Sequence, residues 1–272
     1  IGAIIGTGIF VLTGVGAALH AGPAVTLSFG VSAIACVFAA LCYAEFASII
    51  PVSGSAYTYA YATIGELLAW IIGWDLILEY AVCSITVAIG WSGYLVNLLA
   101  GIGIIIPVWM CTPPFNLPAL FIVAIITTLL VIGIKESAKF NNVIVIVKLA
   151  VILFFIVLGL FFIRPENWNP FMPYGWTGVM TGAAIVFFAY IGFDAVSTTA
   201  EETKNPQRDL PIGIIVSLVV CSSLYIIVAL VLTGIIPVMD YADNQSFLAA
   251  PIAFALNVIH QDWASGIISV GA

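Results

Sequence analysis

Charged side chains are scarce in this chain. Asp, Glu, Lys and Arg make up 7% of its 272 residues, hydrophobic residues make up 63%, and the mean hydropathy is +1.24. A soluble domain is roughly a quarter charged, so this chain has too few charges to cover a surface that faces water. Its apolar runs are continuous rather than alternating, which excludes a membrane β-barrel. The composition therefore predicts an all-α membrane protein with several spans.

Basic residues and clustered metal ligands are also scarce. The chain has six Lys and Arg residues and no basic patch, so nucleic acid is not a predicted partner. Its five cysteines are not spaced for a metal, and no metal site is expected. We find no nucleophile–His–acid set and no Walker loop, so the sequence predicts neither an enzyme nor an ATP-driven pump.

Several apolar runs reach the length of about 20 residues that a membrane span needs. We predict spans at 1–19, 24–48, 66–100, 117–134, 140–163, 176–201 and 211–234, with an eighth starting near 262. The third is too long for one straight span and should tilt or extend past the bilayer. The chain begins and ends inside apolar runs, so we expect it to be part of a longer protein.

The few basic residues predict the orientation. Lys135 and Lys139 lie between spans four and five, and Lys204 and Arg208 lie between spans six and seven. Only Arg164 lies on the opposite side. Because loops rich in Lys and Arg stay in the cytoplasm, the N-terminus is predicted to be cytoplasmic, in a plasma or inner membrane. Spans one and six then run in opposite directions, as an inverted repeat of five helices requires.

Glycines interrupt the first span, most densely at Gly6-Thr7-Gly8. A glycine inside a helix costs about 1 kcal/mol relative to alanine. One interpretation is close packing of helices through small residues, which the pair Gly2 and Gly6 fits. The other is a broken helix whose freed backbone groups face a cavity.

The sixth span has a similar weak point, at Gly192, and Asp194 follows two residues later. Paired interruptions in two halves of a chain are the best sequence indication of a transporter site. The N-terminus of a half-helix offers free N–H groups to a carboxylate, and a C-terminus offers free carbonyls to an ammonium group. Both together suit a zwitterion, of which an α-amino acid is the obvious example.

Lys148 is flanked on both sides by long apolar runs. It lies about ten residues beyond Lys139, roughly 15 Å along a helix and so close to mid-membrane. A charge inside the membrane is costly and usually has a function and a partner. Because burial disfavours the charged form of a lysine, Lys148 could exchange a proton during transport. The alternative is a lysine that stays charged, is held by carbonyls and serves structure alone.

Two acids share a face of the third span, since Asp75 and Glu79 are one helical turn apart. Glu79 is the deeper of the two. It could line the substrate cavity or relay protons with Lys148, whereas Asp75 is better explained as an acid that water reaches near the cytoplasmic end.

Four motifs in order resemble those of the amino acid–polyamine–organocation (APC) superfamily. They are GAIIGTGIF at residues 2–10, PVSGSAYTY at 51–59, AYIGFD at 189–194 and EETKNPQRDLP at 201–211. The last two, with Lys148, are most similar to bacterial members of the cationic amino acid transporter branch. The resemblance covers the whole chain.

The resemblance implies a LeuT-type fold with two inverted five-helix repeats, truncated here to about helices 1–7 and the start of helix 8 of twelve or more. Residues 1–163 would form the first repeat and residues 164–272 an incomplete second repeat, within one transport domain. It implies roles for matching residues: Gly6, Thr7 and Gly8 would bind the substrate carboxylate with their amides. Carbonyls of Ile4, Phe188 and Ile191 would bind its ammonium group, and Asp194 would act in gating.

In sodium-coupled relatives of the superfamily a sodium ion bridges helices one, five and eight. The resemblance places the ammonium of Lys148 there, which implies a proton as the coupling ion, no sodium site and no cofactor. The amine should then contact carbonyls between Gly2 and Ile5. Lys148 and Glu79 are the predicted proton-coupling residues, and a small single-span membrane subunit stays open as a partner.

These observations favour a secondary active transporter of L-amino acids across the plasma membrane, working as a proton symporter by alternating access. One alternative is an amino acid exchanger or uncoupled facilitator on the same scaffold. Another is an amino acid-binding sensor without turnover. The sequence does not indicate which amino acids bind.

Overall fold

A computed structural model describes residues 1–112, 115–132 and 134–272, and for residues 134–140 it describes the backbone alone. These described residues are nearly all helical and include no strand, which confirms the predicted all-α class. The first helix, α1, covers residues 8–21 and contains both π-helical and α-helical turns. The others are α2 (Val25–Ile49), α3 (Ser55–Thr63), α4 (Glu66–Gly101), α5 (Leu117–Ile132), α6 (Ile134–Leu160), α7 (Gly175–Val186), α8 (Pro206–Ile235), α9 (Gln245–Ala249), α10 (Pro251–Val258) and α11 (Asp262–Gly271).

Several helical stretches are long and apolar enough to cross a membrane. In the described ranges they are Gly8–Ile49, Glu66–Gly101, Asn141–Leu160, Gly175–Glu202 and Pro206–Ile235, with Leu117–Ile132 as a shorter apolar helix. The first stretch contains two of the predicted spans. Gly22 separates them, because its φ of +62° ends α1 and is a conformation that side-chain-bearing residues rarely adopt.

The boundaries differ from the prediction in two respects. The first span was expected at 1–19, but α1 begins at Gly8, and the residues before it form a turn and a bend. The short helices α3, α9 and α10 lie outside every predicted span. Local signals account for the last two: the Asn244 side chain accepts a hydrogen bond from the Phe247 amide (3.1 Å) at the start of α9, and Pro251 occupies the first turn of α10.

Two parts of the prediction stay untested by the fold. The side chains of Lys135 and Lys139, on which the orientation depends, lie outside the described residues. The division into repeats at 163/164 also stays a prediction.

Helix α2 packs along α7 and α8. The Ser28 hydroxyl donates to the Val179 carbonyl and the Ser32 hydroxyl to the Ala183 carbonyl, each at 2.8 Å. Small polar residues of this kind allow helices to approach closely in a membrane. Helix α1 contacts α7, α8 and α10, while α4 contacts α3, α5 and α11. This packing brings the start of α1 beside the end of α7.

Candidate substrate site between two interrupted helices

The first interruption, at residues 1–7, precedes α1. The amides of Ile4 and Ile5 donate to the Ile1 carbonyl (3.1 and 3.0 Å), which forms a turn, and the helix begins at Gly8. The first amides of a helix have no partner within that helix. The N-terminus of α1 therefore offers N–H groups and a partial positive charge, as the glycine pattern predicted.

The second interruption, at residues 187–193, follows α7. The chain forms a 3-10 turn at Phe187–Tyr190, becomes extended at Ile191 (ψ 136°), and passes through Gly192 at φ +106°. A further 3-10 stretch covers Asp194–Glu202. Such a sharp change of direction needs a residue without a side chain, and glycine adopts positive φ at little cost.

The two interruptions touch each other at a glycine from each side. A Cβ added to Gly192 would lie 2.5 Å from the Ala3 carbonyl oxygen, and one added to Gly8 would overlap Ala189. The backbones can approach this closely because neither glycine has a side chain. Gly8 and Gly192 each lie in a segment predicted to be interrupted, and the structure brings these two segments together.

A cavity of about 210 Å³ opens where the interruptions meet. All the residues predicted to bind substrate line it, namely Ile4, Gly6, Thr7, Gly8, Phe188 and Ile191. The remaining lining residues are Ala3, Tyr80, Cys83, Val87, Ala189, Gly192 and Ala195. Placing the predicted residues around one cavity makes a shared role possible, and their contact with a ligand stays a prediction.

The side-chain wall contributed by α4 was missed by the sequence reasoning. Tyr80, Cys83 and Val87 lie at i, i+3 and i+7, so they share one face of the helix. Glu79, which was expected either to line the cavity or to relay protons, is not among the lining residues of the described chain. The neighbouring Tyr80 takes that place, because each residue turns about 100° around a helix. The spacing of Tyr80, Cys83 and Val87 was the signal in the sequence that could have indicated this face.

Lys148 contacts the first interruption. Its Nζ donates to the Ile5 carbonyl at 3.3 Å, and the residue is half-buried. This confirms the predicted contact between the amine and carbonyls of residues 2–5. Within the described chain no ion pair joins Lys148 to Glu79, so proton transfer between the two would need water or a rearrangement. Their role in proton coupling stays a prediction.

Two of the carbonyls predicted to bind an ammonium group already accept hydrogen bonds. The Tyr225 hydroxyl lies 2.8 Å from the Ile4 carbonyl oxygen, and the Ile191 amide donates to the Phe188 carbonyl at 3.2 Å. A carbonyl oxygen has two lone pairs and can accept a second bond. Both remain able to bind an ammonium group.

Asp194 joins three parts of the fold. Its carboxylate accepts hydrogen bonds from the Tyr80 hydroxyl (2.7 Å) on α4 and from the Ser55 hydroxyl (3.3 Å) at the start of α3. Nearby, the Ser53 hydroxyl donates to Glu201 at 2.9 Å. Asp194 is buried although it is ionisable, and buried carboxylates need such donors. The network joins these segments at one end of the cavity, and the role of Asp194 in gating stays a prediction.

Replacing Tyr80 with phenylalanine should loosen this end of the cavity. A hydrogen bond to a charged group contributes about 1.5–3 kcal/mol, and Tyr80→Phe removes the 2.7 Å bond to Asp194 while keeping the ring. We expect a lower unfolding temperature for the full-length protein. We also expect faster labelling of Cys83 in a variant whose other cysteines are replaced. The maleimide is added on the side of the membrane on which Glu201 lies.

Tyr61→Phe is the matched control, because the Tyr61 hydroxyl also donates to a carboxylate, that of Glu66 at 3.1 Å, but on an exposed surface. Exposed pairs contribute little. Equal labelling rates in the two variants would show that the Asp194 network does not close the cavity.

The chain matches a family model described as amino acid permease over residues 1–272. A relative named branched-chain amino acid permease BcaP, from Bacillus subtilis (strain 168), is 55% identical over 100% of this chain and 59% of its own length. A relative named methylthioribose transporter, from the same organism, is 54% identical over 100% of this chain and 59% of its own length.

More distant relatives come from plants. A protein named cationic amino acid transporter 9, chloroplastic, from Arabidopsis thaliana, is 42% identical over 100% of this chain and 49% of its own length. The chain therefore spans less than two thirds of the curated relatives it matches. These three relatives are named as permeases or transporters rather than enzymes.

Proposed function

The chain belongs to the amino acid permease family, and on this premise we propose that it belongs to a secondary active transporter of L-amino acids. The substrate would bind between the interruptions next to α1 and α7, and the two ends of the cavity would open in turn. The observation that carries this proposal is the cavity that residues of both interruptions line together. The match also supports the resemblance to the APC superfamily.

The backbone groups around the cavity suit the two charges of an amino acid. The amides of Gly6, Thr7 and Gly8 at the start of α1 would bind the carboxylate, because a helix N-terminus favours an anion. The carbonyls of Ile4, Phe188 and Ile191 would bind the ammonium group. A substrate lacking either charge would leave one set of groups unpaired, at a cost of about 1–3 kcal/mol.

The side chains around the cavity suit a neutral substrate side chain. Within the described chain the lining is mostly apolar and contains no carboxylate, and its larger aliphatic and aromatic members are Ile4, Tyr80, Val87, Phe188 and Ile191. A cationic side chain would have no counter-charge there, and an unpaired buried charge is costly. We therefore propose aliphatic amino acids as the preferred substrates, a class that includes the branched-chain amino acids named for BcaP.

We propose proton symport, with Lys148 as the group that exchanges the proton and Glu79 as its relay. In support, Lys148 is half-buried, and its amine contacts the Ile5 carbonyl in the first interruption. An exchanger or uncoupled facilitator is the alternative on the same scaffold, and an amino acid-binding sensor without turnover is the alternative of another class. Neither a sodium ion nor a cofactor is part of the proposal.

The proposed setting is the plasma or inner membrane, with a cytoplasmic N-terminus. The proposed architecture is a LeuT-type fold with repeats at residues 1–163 and 164–272. A small single-span subunit is a further candidate partner.

A ligand screen of the full-length protein tests the substrate class. The twenty L-amino acids and methylthioribose are compared for their effect on the unfolding temperature, and those that bind are then tested for uptake into proteoliposomes. We expect leucine, isoleucine and valine to raise the unfolding temperature and to be taken up, and lysine, arginine and methylthioribose to have smaller effects.

The alternatives predict different results. Counterflow that is insensitive to a pH gradient would favour an exchanger or facilitator. Saturable binding without flux would favour a sensor. Stabilisation by methylthioribose alone would contradict the proposal that the site binds a zwitterion.

A further inference from the structure

Tyr225 lies outside every motif that the sequence reasoning selected. It is in the middle of α8 and is fully buried. Its hydroxyl oxygen lies 2.8 Å from the carbonyl oxygen of Ile4 and 2.8 Å from that of Ala189. Ile4 belongs to the turn before α1, and Ala189 belongs to the 3-10 turn after α7. One hydroxyl therefore contacts both interruptions that form the cavity.

Two carbonyl oxygens share one hydroxyl hydrogen in this contact. A phenol has one hydrogen to donate, yet two carbonyl oxygens lie within hydrogen-bonding distance of it. Without that hydrogen, two partial negative charges would converge in a region that excludes water, where electrostatic repulsion is strong. The hydroxyl therefore stabilises an arrangement of the two carbonyls that would otherwise be unfavourable.

The Tyr225 ring is held in place by other aromatic rings. It packs against Phe29 and Tyr190, with ring centres 5.4 Å apart in both cases. The Tyr190 hydroxyl in turn donates to the Phe29 carbonyl at 2.9 Å. Because the ring is fixed on α2, α8 and the second interruption, its hydroxyl has little freedom to move away from the two carbonyls.

We propose that Tyr225 is a positioning residue for the substrate site. Its hydroxyl holds the Ile4 and Ala189 carbonyls, and hence the two interruptions, at the separation that an amino acid requires. The proposal deepens the proposed function and rests on it only for the identity of the ligand. Lys148 contacts the next carbonyl, that of Ile5, so two successive carbonyls are held by side chains from two different helices.

Tyr225→Phe tests this role in the full-length protein, with Tyr190→Phe as the matched control. Both variants keep the aromatic ring and remove one fully buried hydroxyl from the same aromatic cluster. The Tyr190 hydroxyl, however, contacts α2 instead of joining the two interruptions. A general loss of packing or polar satisfaction would affect both variants alike.

We expect Tyr225→Phe to raise the dissociation constant of the best-binding amino acid at least about tenfold, and Tyr190→Phe to change it by less than about threefold. Hydrogen exchange supplies a readout that needs no ligand. The peptide covering residues 1–7 should exchange faster in Tyr225→Phe than in Tyr190→Phe, because Tyr190 lies in the second interruption and its hydroxyl contacts α2, whereas the Tyr225 hydroxyl contacts the first interruption.

Equal affinities and equal exchange in the two variants would overturn the proposal. The same conclusion follows if Tyr225→Phe fails to fold while Tyr190→Phe folds, because the hydroxyl would then serve the whole bundle instead of the site. Should the wild-type protein bind no amino acid, the proposed function fails, and the exchange rates alone decide whether Tyr225 positions the two interruptions.

Discussion

Replacing Gly192 with alanine is expected to reduce amino acid binding and uptake strongly. Gly192 has φ +106°, where a residue with a side chain is strained. The added Cβ would also lie 2.5 Å from the Ala3 carbonyl oxygen, a backbone atom that cannot rotate away. Strain of this kind costs about 1–3 kcal/mol, which corresponds to about a 5- to 150-fold change in an equilibrium constant.

Gly30→Ala is the control for this prediction. Gly30 lies inside α2, and a Cβ added there would meet no atom within 4 Å. A glycine-to-alanine change inside a helix stabilises it by about 0.5–1 kcal/mol, so Gly30→Ala should leave uptake unchanged. Uptake into proteoliposomes and ligand-induced thermal stabilisation are measured for both. Equal values for Gly192→Ala and Gly30→Ala would mean that the contact between Gly192 and Ala3 is not needed for transport.

Replacing Lys148 with alanine is expected to abolish the response of uptake to an imposed pH gradient. The change removes the amine that donates to the Ile5 carbonyl at 3.3 Å. Hydrogen bonds to charged groups contribute about 1.5–3 kcal/mol, so the first interruption should also be held less firmly. Uptake is compared with and without a pH gradient, inside alkaline, in proteoliposomes that contain the full-length protein.

Lys148→Arg separates the two possible roles of the lysine. A guanidinium keeps the positive charge and the hydrogen bond, but it is not deprotonated in proteins. If Lys148 exchanges a proton, Lys148→Arg should lose gradient-driven accumulation and keep counterflow of the amino acid. If the lysine serves only as a fixed charge, the arginine variant should respond to the gradient as the wild type does, and proton coupling through Lys148 would be wrong.

The interruptions could be predicted from the sequence because their signals are local. Glycines at 6, 8 and 192 and a carboxylate at 194 stand out within apolar runs. Such residues are expensive in a membrane helix, and they imply a special conformation wherever the rest of the chain lies. The structure confirms the breaks and adds that they contact each other.

Two parts of the site could not be predicted because their signals are not local. Tyr225 is one aromatic residue in a long apolar helix, and nothing in its neighbours indicates that its hydroxyl contacts the backbone of Ala189 and of Ile4, both far earlier in the chain. The α4 wall depends on the rotation of that helix about its axis. Glu79 was predicted to belong to the site because it is charged, whereas Tyr80 beside it lines the cavity.

The short helices α3, α9 and α10 illustrate the same difference. Their sequences are too short and too polar at the ends to be distinguished from loops by an apolar run of membrane length. Once packed, they are stabilised by contacts with longer helices, since α3 packs against α4, α9 and α10 pack against α1, and α10 packs against α11. Tertiary packing, and not intrinsic propensity, accounts for most helical stability in proteins.

The sequence by itself determined that this chain is helical, that it enters a membrane several times and that two of its helices are interrupted. These properties follow from the cost of charges and unpaired backbone groups in hydrocarbon, which each segment experiences separately. Only the tertiary structure decided which residues share the cavity, that Lys148 contacts Ile5, and that Tyr225 joins the two interruptions. Those relations depend on the rotation and separation of whole helices, and packing between distant segments sets both.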